Sequence, residues 1–173
     1  PTRRSSDLGN LVKSIKEYSH MDGGSDKKKV VLRDGLESTL RILQHKLKTK
    51  NIQVKVDMPD DLPQMLVSPG EMNQVWTNLI DNAIDALPEE GEIRIESKRD
   101  QEFVITKVID NGSGIPADVL GQIFDPFFTT KEIGKGSGLG LEIAQNIIKR
   151  HRGQIKVTSK PGHTEFNVCL PIE

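Results

Sequence analysis

Four clusters of residues carry types and spacings that could do chemistry. Asn78, Asn82 and Asp85 recur at i, i+4 and i+7 in Asn78-Leu-Ile-Asp-Asn82-Ala-Ile-Asp85, a spacing that lines one face of a helix. Asn is a mediocre helix former. Its amide oxygen is a hard, neutral ligand, suited to a Mg2+ that keeps several waters and binds mainly through phosphates. By itself the row is equally a polar, solvated face. The second cluster, Asp110-Asn-Gly112-Ser-Gly114-Ile115-Pro116, follows a β-branched run. Glycines there let backbone come close to a ligand while a strand-end carboxylate points at it. An ionised Asp only accepts hydrogen bonds, so it suits a donor such as the exocyclic amine of adenine; Asp-Asn-Gly is also an ordinary turn.

The third cluster, Phe124-Asp-Pro126-Phe127-Phe128-Thr129-Thr130-Lys131, holds three of the chain's five Phe residues. Phe124 reads equally as a plug into the core, whereas Lys131, ahead of glycines, offers an ammonium to a phosphate. The fourth is Gly134-Lys-Gly136-Ser137-Gly138-Leu139-Gly140-Leu141. Glycines let backbone N–H groups converge on an anion, and a following helix N-terminus adds its dipole. The spacing is neither G-x-x-x-x-G-K-[ST] nor G-x-G-x-x-G with an acidic residue about 20 positions on, which disfavours a P-loop or a Rossmann site and leaves a phosphate cradle. Each cluster has a plain structural reading alone; in this order they share one explanation.

Elements must position these groups. Leu32, Leu36, Leu40, Leu43 and Leu47 predict one amphipathic helix, and Ile52, Val54 and Val56 a strand ending at Pro59. A helix is expected from Pro69 to just before Pro88, with Ser68 as N-cap and Glu71 at capping-box spacing. Strands follow at Glu92 to Ser97 and Phe103 to Ile109, turning at Arg99-Asp100-Gln101. A short helix is expected near Ala117 to Gly121 and a last helix from about Gly138 to His151, with Gly153 as its stop. Strands near Gln154 to Ser159 and Thr164 to Leu170 close the order. Hairpins rather than strict βαβ alternation predict an α+β two-layer sandwich, a mixed sheet covered by helices on one face.

Upstream, Leu8, Leu11, Val12 and Ile15 form an apolar stripe at helical spacing, and Gly23-Gly24 breaks it. Residues 1–24 therefore read as the end of a preceding helical element with a linker, and residues 25–173 as the main domain. Lys27, Lys28 and Lys29 read as solvated linker. The chain of 173 residues has a formal net charge of -1, which gives no electrostatic case for nucleic acid. No apolar run approaches the length of a membrane span and no signal pattern opens the sequence. Cys169 is alone, so no internal disulfide forms; Val168 and Leu170 beside it predict a buried thiol, in keeping with a reducing compartment.

On these motifs the chain resembles the catalytic, ATP-binding domain of sensor histidine kinases, in the superfamily shared with gyrase-type topoisomerases, mismatch-repair ATPases and a heat-shock chaperone. Asn78 to Asn82 matches the N box, Asp110 to Gly114 the first G box, Phe124 to Phe128 the F box and Gly136 to Gly140 the second G box. Gly162-His-Thr164-Glu-Phe166 and Leu170-Pro171 resemble the family's final strand. The match covers roughly residues 30–173, and Phe127-Phe-Thr-Thr-Lys131 resembles the nitrogen-regulation and oxygen-sensing branch. The resemblance implies ATP and Mg2+ as cofactors. Asn82 would ligate the metal, Asn78 would assist there or at the phosphates, and Lys131 would act with them. Asp110 would accept from adenine, supported by Thr164, while Gly112 and Gly114 let the purine approach. Lys131 and the backbone of Gly136, Ser137, Gly138, Leu139 and Gly140 would hold the phosphates on a lid, and Ile115, Phe128 and Thr130 would belong to the same nucleotide site.

Two departures bear on mechanism. Hydrolytic members carry a Glu four residues before the metal Asn; here Asn78 stands there, so water activation is not provided for and transfer to another acceptor is favoured. The acceptor motif, a His followed by Glu or Asp and then Pro, is missing. His20 in Tyr18-Ser-His20-Met-Asp22 lacks the proline, and His151 between two arginines reads as a helix-end residue favoured by the dipole. The leading helix resembles the tail of a dimerisation helix below its phosphorylated histidine. Implied partners are that histidine-bearing dimerisation domain and a response regulator, within a homodimeric parent; no nucleic acid and no direct membrane contact are expected. The implied setting is cytoplasmic, in a parent that is free or membrane-anchored. The competing readings are an ATP-hydrolysing clamp and a non-catalytic nucleotide-binding module.

Overall fold

The computed structural model describes residues 26–129 and 138–173. Strand β1 (Lys28–Val30) leads into helix α1 (Leu32–Ile42), helix α2 (Gln44–Thr49) and strand β2 (Gln53–Asp57). Strand β3 (Met65–Val67) precedes the long helix α3 (Pro69–Ala86), and β4 (Glu92–Asp100) and β5 (Phe103–Asp110) form a hairpin. The short α4 (Ala117–Leu120), α5 (Gly140–Arg150), β6 (Gln154–Lys160) and β7 (His163–Pro171) complete the order.

Five strands form one mixed sheet in the order β2-β4-β5-β7-β6. Only β2 and β4 run parallel; the other neighbours are antiparallel. Side chains alternate across a strand, so β7 turns Thr164, Phe166, Val168 and Leu170 inward. With Ile93, Ile95, Val104 and Val108 they make the sheet side of the core. Charged and polar residues such as Arg94, Lys107 and Glu165 occupy the other face. The helices close the core with α1 leucines, with Met72, Val75, Trp76, Leu79, Ile80, Ala83 and Ile84 of α3, and with Ile143, Ala144, Ile147 and Ile148 of α5. This is the expected α+β sandwich.

Helix α3 forms where its start signals lie. Ser68 caps it, its hydroxyl accepting from the Glu71 amide at 3.5 Å, and Pro69 takes the first turn. Four local expectations change. The predicted leucine helix is two helices meeting at Leu43, whose backbone leaves the helical region at φ -88, ψ 3. That bend keeps Leu43 and Leu47 buried and leaves Ile42 75% exposed. Lys28 and Lys29 are not linker: they belong to β1, paired with β3, a two-stranded ribbon too short for alternation to announce it. The last helix begins at Gly140 rather than Gly138. Cys169 is only half-buried, because the alternation that buries Val168 and Leu170 turns it to the other face; burial still pushes its thiol pKa up, with Asp100 adding to the shift.

Candidate functional site

Helix α3 connects the first, second and fourth clusters. Near its middle, the Asn78 side-chain amide donates to the Gly140 carbonyl at 2.8 Å, and Asn78 Oδ1 accepts from Gln74 Nε2 at 3.0 Å. This ties α3 to the first residue of α5. At its end, a Cβ on Gly112 would lie 2.6 Å from the Ala86 carbonyl oxygen. Backbone therefore approaches the α3 C-terminus closely enough to exclude any side chain. Lys50 Nζ donates to the Ile84 and Leu87 carbonyls at 2.8 and 3.1 Å, which satisfies acceptors left over at a helix end. Asn82 lies midway, half-buried, one turn from each contact. From Asn78 to Ala86 the helix rises about 12 Å.

Asp110 ends β5 and is 3% exposed. Its Oδ1 accepts from the Gly112 amide at 2.9 Å. Desolvation raises its pKa, against smaller lowering effects of the Gly112 hydrogen bond and of the nearby His163 charge. The register sets Asp110 opposite Thr164 on β7. Thr164 Oγ1 lies 2.8 Å from Ser159 Oγ, and that hydroxyl accepts from the Ile115 amide at 2.7 Å. Gly162 N–H donates to the Gly112 carbonyl at 3.0 Å. Gly114 has φ +88, and a Cβ there would lie 2.6 Å from the Lys160 carbonyl oxygen. Asp110, Gly112, Gly114, Ile115 and Thr164 thus gather at one end of β5 and β7, beside the α3 C-terminus.

Phe124 packs edge-on to Phe166 with ring centroids 6.4 Å apart, so it is a core plug. Phe128 is half-buried against the core and Phe127 is exposed. The Phe127 backbone abuts Gly138, where a Cβ would come within 2.3 Å of the Phe127 carbonyl carbon. Leu139 is buried and caps α5, and Gly140 sits in ordinary contact range of Asn78. Thr130, Lys131, Gly136 and Ser137 lie outside the described residues.

Several residues escaped the sequence reading. Ser159 joins Ile115 to Thr164, yet only strand register brings it there. Gln74, one turn before Asn78, was legible from spacing alone. His151 is 5% exposed, and its ring turns inward instead of meeting solvent at the helix end. Its Nε2 accepts from the Ser68 amide at 3.1 Å and its Nδ1 lies 2.8 Å from the Ile147 carbonyl oxygen. These partners assign the neutral ring with the proton on Nδ1. Desolvation lowers its pKa first; Lys27 and Arg150 add to that, while the Ile147 hydrogen bond and Glu71 oppose it. The expected dipole-stabilised cation is therefore not what the fold uses. The helix does end ahead of Gly153, but the left-handed residue is Arg152, at φ 60, and Gly153 is small because a Cβ there would lie 2.4 Å from the Cys169 carbonyl oxygen.

A cleft of about 470 Å³ lies elsewhere, between β1, α1 and the first half of α3, with Val30, Leu32, Met72 and Trp76 in its walls. None of Asn78, Asn82, Asp110, Gly112 or Thr164 lines it, so it is separate from the gathered motifs. Among the described residues no three His, Cys, Asp or Glu side chains cluster as a metal cage, and no helix is long and apolar enough to cross a membrane.

A sandwich whose helix amides, strand-end carboxylate and glycine turns meet along one helix is the architecture of a nucleotide-binding ATPase. Residues 68–173 match the family described as "Histidine kinase-, DNA gyrase B-, and HSP90-like ATPase", and the chain belongs to that family. It is 41% identical over 148 residues to the sensor kinase CckA of Brucella abortus (strain 2308), covering 76% of this chain and 16% of that protein. It is 38% identical over 133 residues to the sensory histidine kinase/phosphatase NtrB of Escherichia coli O157:H7, covering 70% of this chain and 38% of that one. The catalytic domain of histidine kinase ThkA, nucleotide-free, superposes with a TM-score of 0.77 at 29% identity, over 85% of this chain and 98% of that one. ThkA in complex with response regulator protein TrrA gives 0.81 at 28% identity, over 99% of this chain and 49% of that one. The chain spans well under half the length of the curated relatives CckA and NtrB.

Proposed function

We propose that this chain is the ATP-binding catalytic part of a sensor histidine kinase, delivering the γ-phosphoryl of ATP to a histidine on a dimerisation segment. The observation that carries this reading is the single helix on which Asn78 touches Gly140 and Ala86 abuts Gly112. A ligand laid along it would reach the strand-end carboxylate at one end and the α5 N-terminus at the other. Adenine belongs at the Asp110 end: the carboxylate accepts its amine, Gly112 and Gly114 leave room for the ring, and Ser159 holds the Thr164 hydroxyl in place. The phosphates belong at the Gly138-Leu139-Gly140 end, where a helix N-terminus offers N–H groups and positive potential. Thr130, Lys131, Gly136 and Ser137 are assigned to the same anion.

The residues present fit Mg2+ held mainly by phosphate. Asn82 offers a neutral amide between the two ends, and it is the residue we assign to the metal. Asn78 is assigned a bracing role, since its oxygen already accepts from Gln74 and its nitrogen donates to Gly140. When bound, Mg2+ supplies charge that offsets the negative phosphates. The protein's own work is positioning and desolvation. An acceptor imidazole nitrogen forms the N–P bond as the bond from γ phosphorus to the bridging oxygen breaks, and ADP leaves with that electron pair. The phosphohistidine then serves an aspartate on a response regulator, as the ThkA–TrrA pairing suggests by analogy. We assign residues 1–24 to the end of the dimerisation helix and its linker, the parent to a homodimer, and the domain to the cytoplasm.

The test is calorimetric binding of a non-hydrolysable ATP analogue with and without Mg2+, followed by mixing the chain with a histidine-bearing dimerisation segment and labelled ATP. Saturable, Mg-assisted binding and label on that histidine are expected. Binding without label would leave a nucleotide-binding module, and steady phosphate release without label would leave a hydrolytic clamp.

A further inference from the structure

We propose that His151 is a positioning residue for the phosphate side of the site: by holding the Ser68 amide it sets α5 lengthwise against α3, and so sets where Gly140 meets Asn78.

The two helices run side by side and join through apolar residues such as Val75, Leu79, Ile143 and Ile147. Apolar burial is non-directional, so it holds the helices together without specifying their register. Directional ties do that, and the described residues carry them at both ends of the helix pair. At one end Asn78 Nδ2 donates to the Gly140 carbonyl at 2.8 Å; at the other, His151 Nε2 accepts from the Ser68 amide at 3.1 Å. From Ser68 to Asn78 the rise is about 15 Å, and from His151 back to Gly140 about 16 Å, so both ties close together only in one register. An ion pair reinforces the His151 end, with Arg150 donating to Glu71 Oε1 at 3.1 Å. Glu71 occupies the capping-box position, but its carboxylate serves Arg150, and the Ser68 amide goes to His151 instead.

The tie needs a neutral ring. Protonating Nε2 would set an N–H against the Ser68 N–H. The charged groups facing His151 are Glu71 of α3, with Oε2 3.8 Å from Nδ1, Arg150 on its own helix and Lys27 ahead of β1. Burial and the two cations hold the ring neutral against Glu71. The inference rests on the nucleotide reading only for its binding readout.

The experiment compares wild type with His151→Gln, which keeps an uncharged acceptor near Nε2, His151→Leu, which removes it, and Val104→Ala, a buried change on β5 away from both ties. Amide exchange is followed at Ser68 and at Ile143, whose amide donates to Leu139 in the first turn of α5. Binding of the non-hydrolysable ATP analogue is followed from pH 8 to pH 5.5 at a temperature where every variant is folded. His151→Leu should exchange faster at both amides, beyond any change in Val104→Ala, and bind about tenfold more weakly. His151→Gln should restore both and lose the part of the acid weakening that wild type owes to His151. If His151→Leu matches Val104→Ala in Ile143 exchange and in affinity, or if Gln rescues nothing, the inference is wrong. Should wild type fail to bind nucleotide, the functional reading falls, and Ile143 exchange alone still judges the tie.

Discussion

The two ends of the candidate site are built by different means. At the Asp110 end, position is set by backbone: β5–β7 register sets Thr164 opposite Asp110, and the chain runs so close at Gly112 and Gly114 that an added Cβ would lie 2.6 Å from a carbonyl oxygen. At the Gly140 end, position is set by side chains between two helices, through Asn78 at one tie and His151 at the other. A sheet register slips only by whole residues, each slip reversing the faces, so the purine side is close to fixed. Helices joined through an apolar seam have finer freedom, so the phosphate side depends on a few hydrogen bonds. Damage to the first end should be large and all-or-none, and damage to the second graded and tunable.

The largest effect is expected from Gly114→Ala. A side chain at φ +88, with its Cβ against the Lys160 carbonyl, costs about 3 kcal/mol from backbone strain and overpacking together. Denaturant melts should show that loss, with nucleotide binding abolished. Gly121→Ala, where a Cβ meets nothing within 4 Å, should stay within about 0.5 kcal/mol of wild type. Equal melts for the two variants would mean that backbone approach does not define the purine side.

Asp110→Asn comes next and separates binding from folding. Affinity for the ATP analogue should fall at least about tenfold, in line with a lost charge-assisted hydrogen bond. Stability at neutral pH should not fall. Because burial raises the folded pKa above the unfolded value, Asp110 contributes stability at low pH that is lost as pH rises through the folded pKa. A neutral side chain escapes that loss. Nucleotide binding should also weaken as pH falls through the raised pKa, and in wild type it should release protons, seen as a dependence of binding heat on the buffer's ionisation enthalpy. An Asn variant that binds as tightly as wild type would remove Asp110 from the ligand.

The same division explains what could be read from the amino-acid order. Asp110, Gly112 and Gly114 were legible because backbone approach demands glycine, a local signal. The α3 start was legible from Ser68 and Pro69, and the sheet from alternation in β4, β5 and β7. The ties were not. His151 looked like a solvated cation because its partner amide lies 83 residues away, and Glu71 looked like half of a capping box because nothing local says Arg150 will take it. Ser159 and the β1–β3 ribbon were hidden for the same reason. Cys169 is only half-buried because alternation along its strand, and not the apolar character of Val168 and Leu170, decides which face it takes.

A smaller, sharper test of the graded end is Asn82→Ala. Stability should change by about 1 kcal/mol at most, while the gain in analogue affinity on adding Mg2+ should disappear. A variant that keeps the full Mg2+ gain would move the metal away from the middle of α3 and leave that helix with a bracing role only.

The smallest effect should come from the residue beside it. Asp81 pairs with Lys46 of α2 at 2.8 Å on an exposed surface, and that hydrogen bond is the main reason the Lys46 pKa is raised. The folded pKa lies above the unfolded one, so the pair's contribution is present at neutral pH and lost only as pH rises through the Lys46 value. Exposed pairs contribute about 0.2–1 kcal/mol and weaken with salt. Lys46→Met should therefore cost less than about 1 kcal/mol in low salt, and nucleotide affinity with and without Mg2+ should stay at the wild-type value. This ion pair holds the outer face of α3 and touches neither tie to α5. If affinity fell with Lys46→Met as it should with His151→Leu, any loosening of α3 would disturb the phosphate side. The two specific ties would then have no special standing.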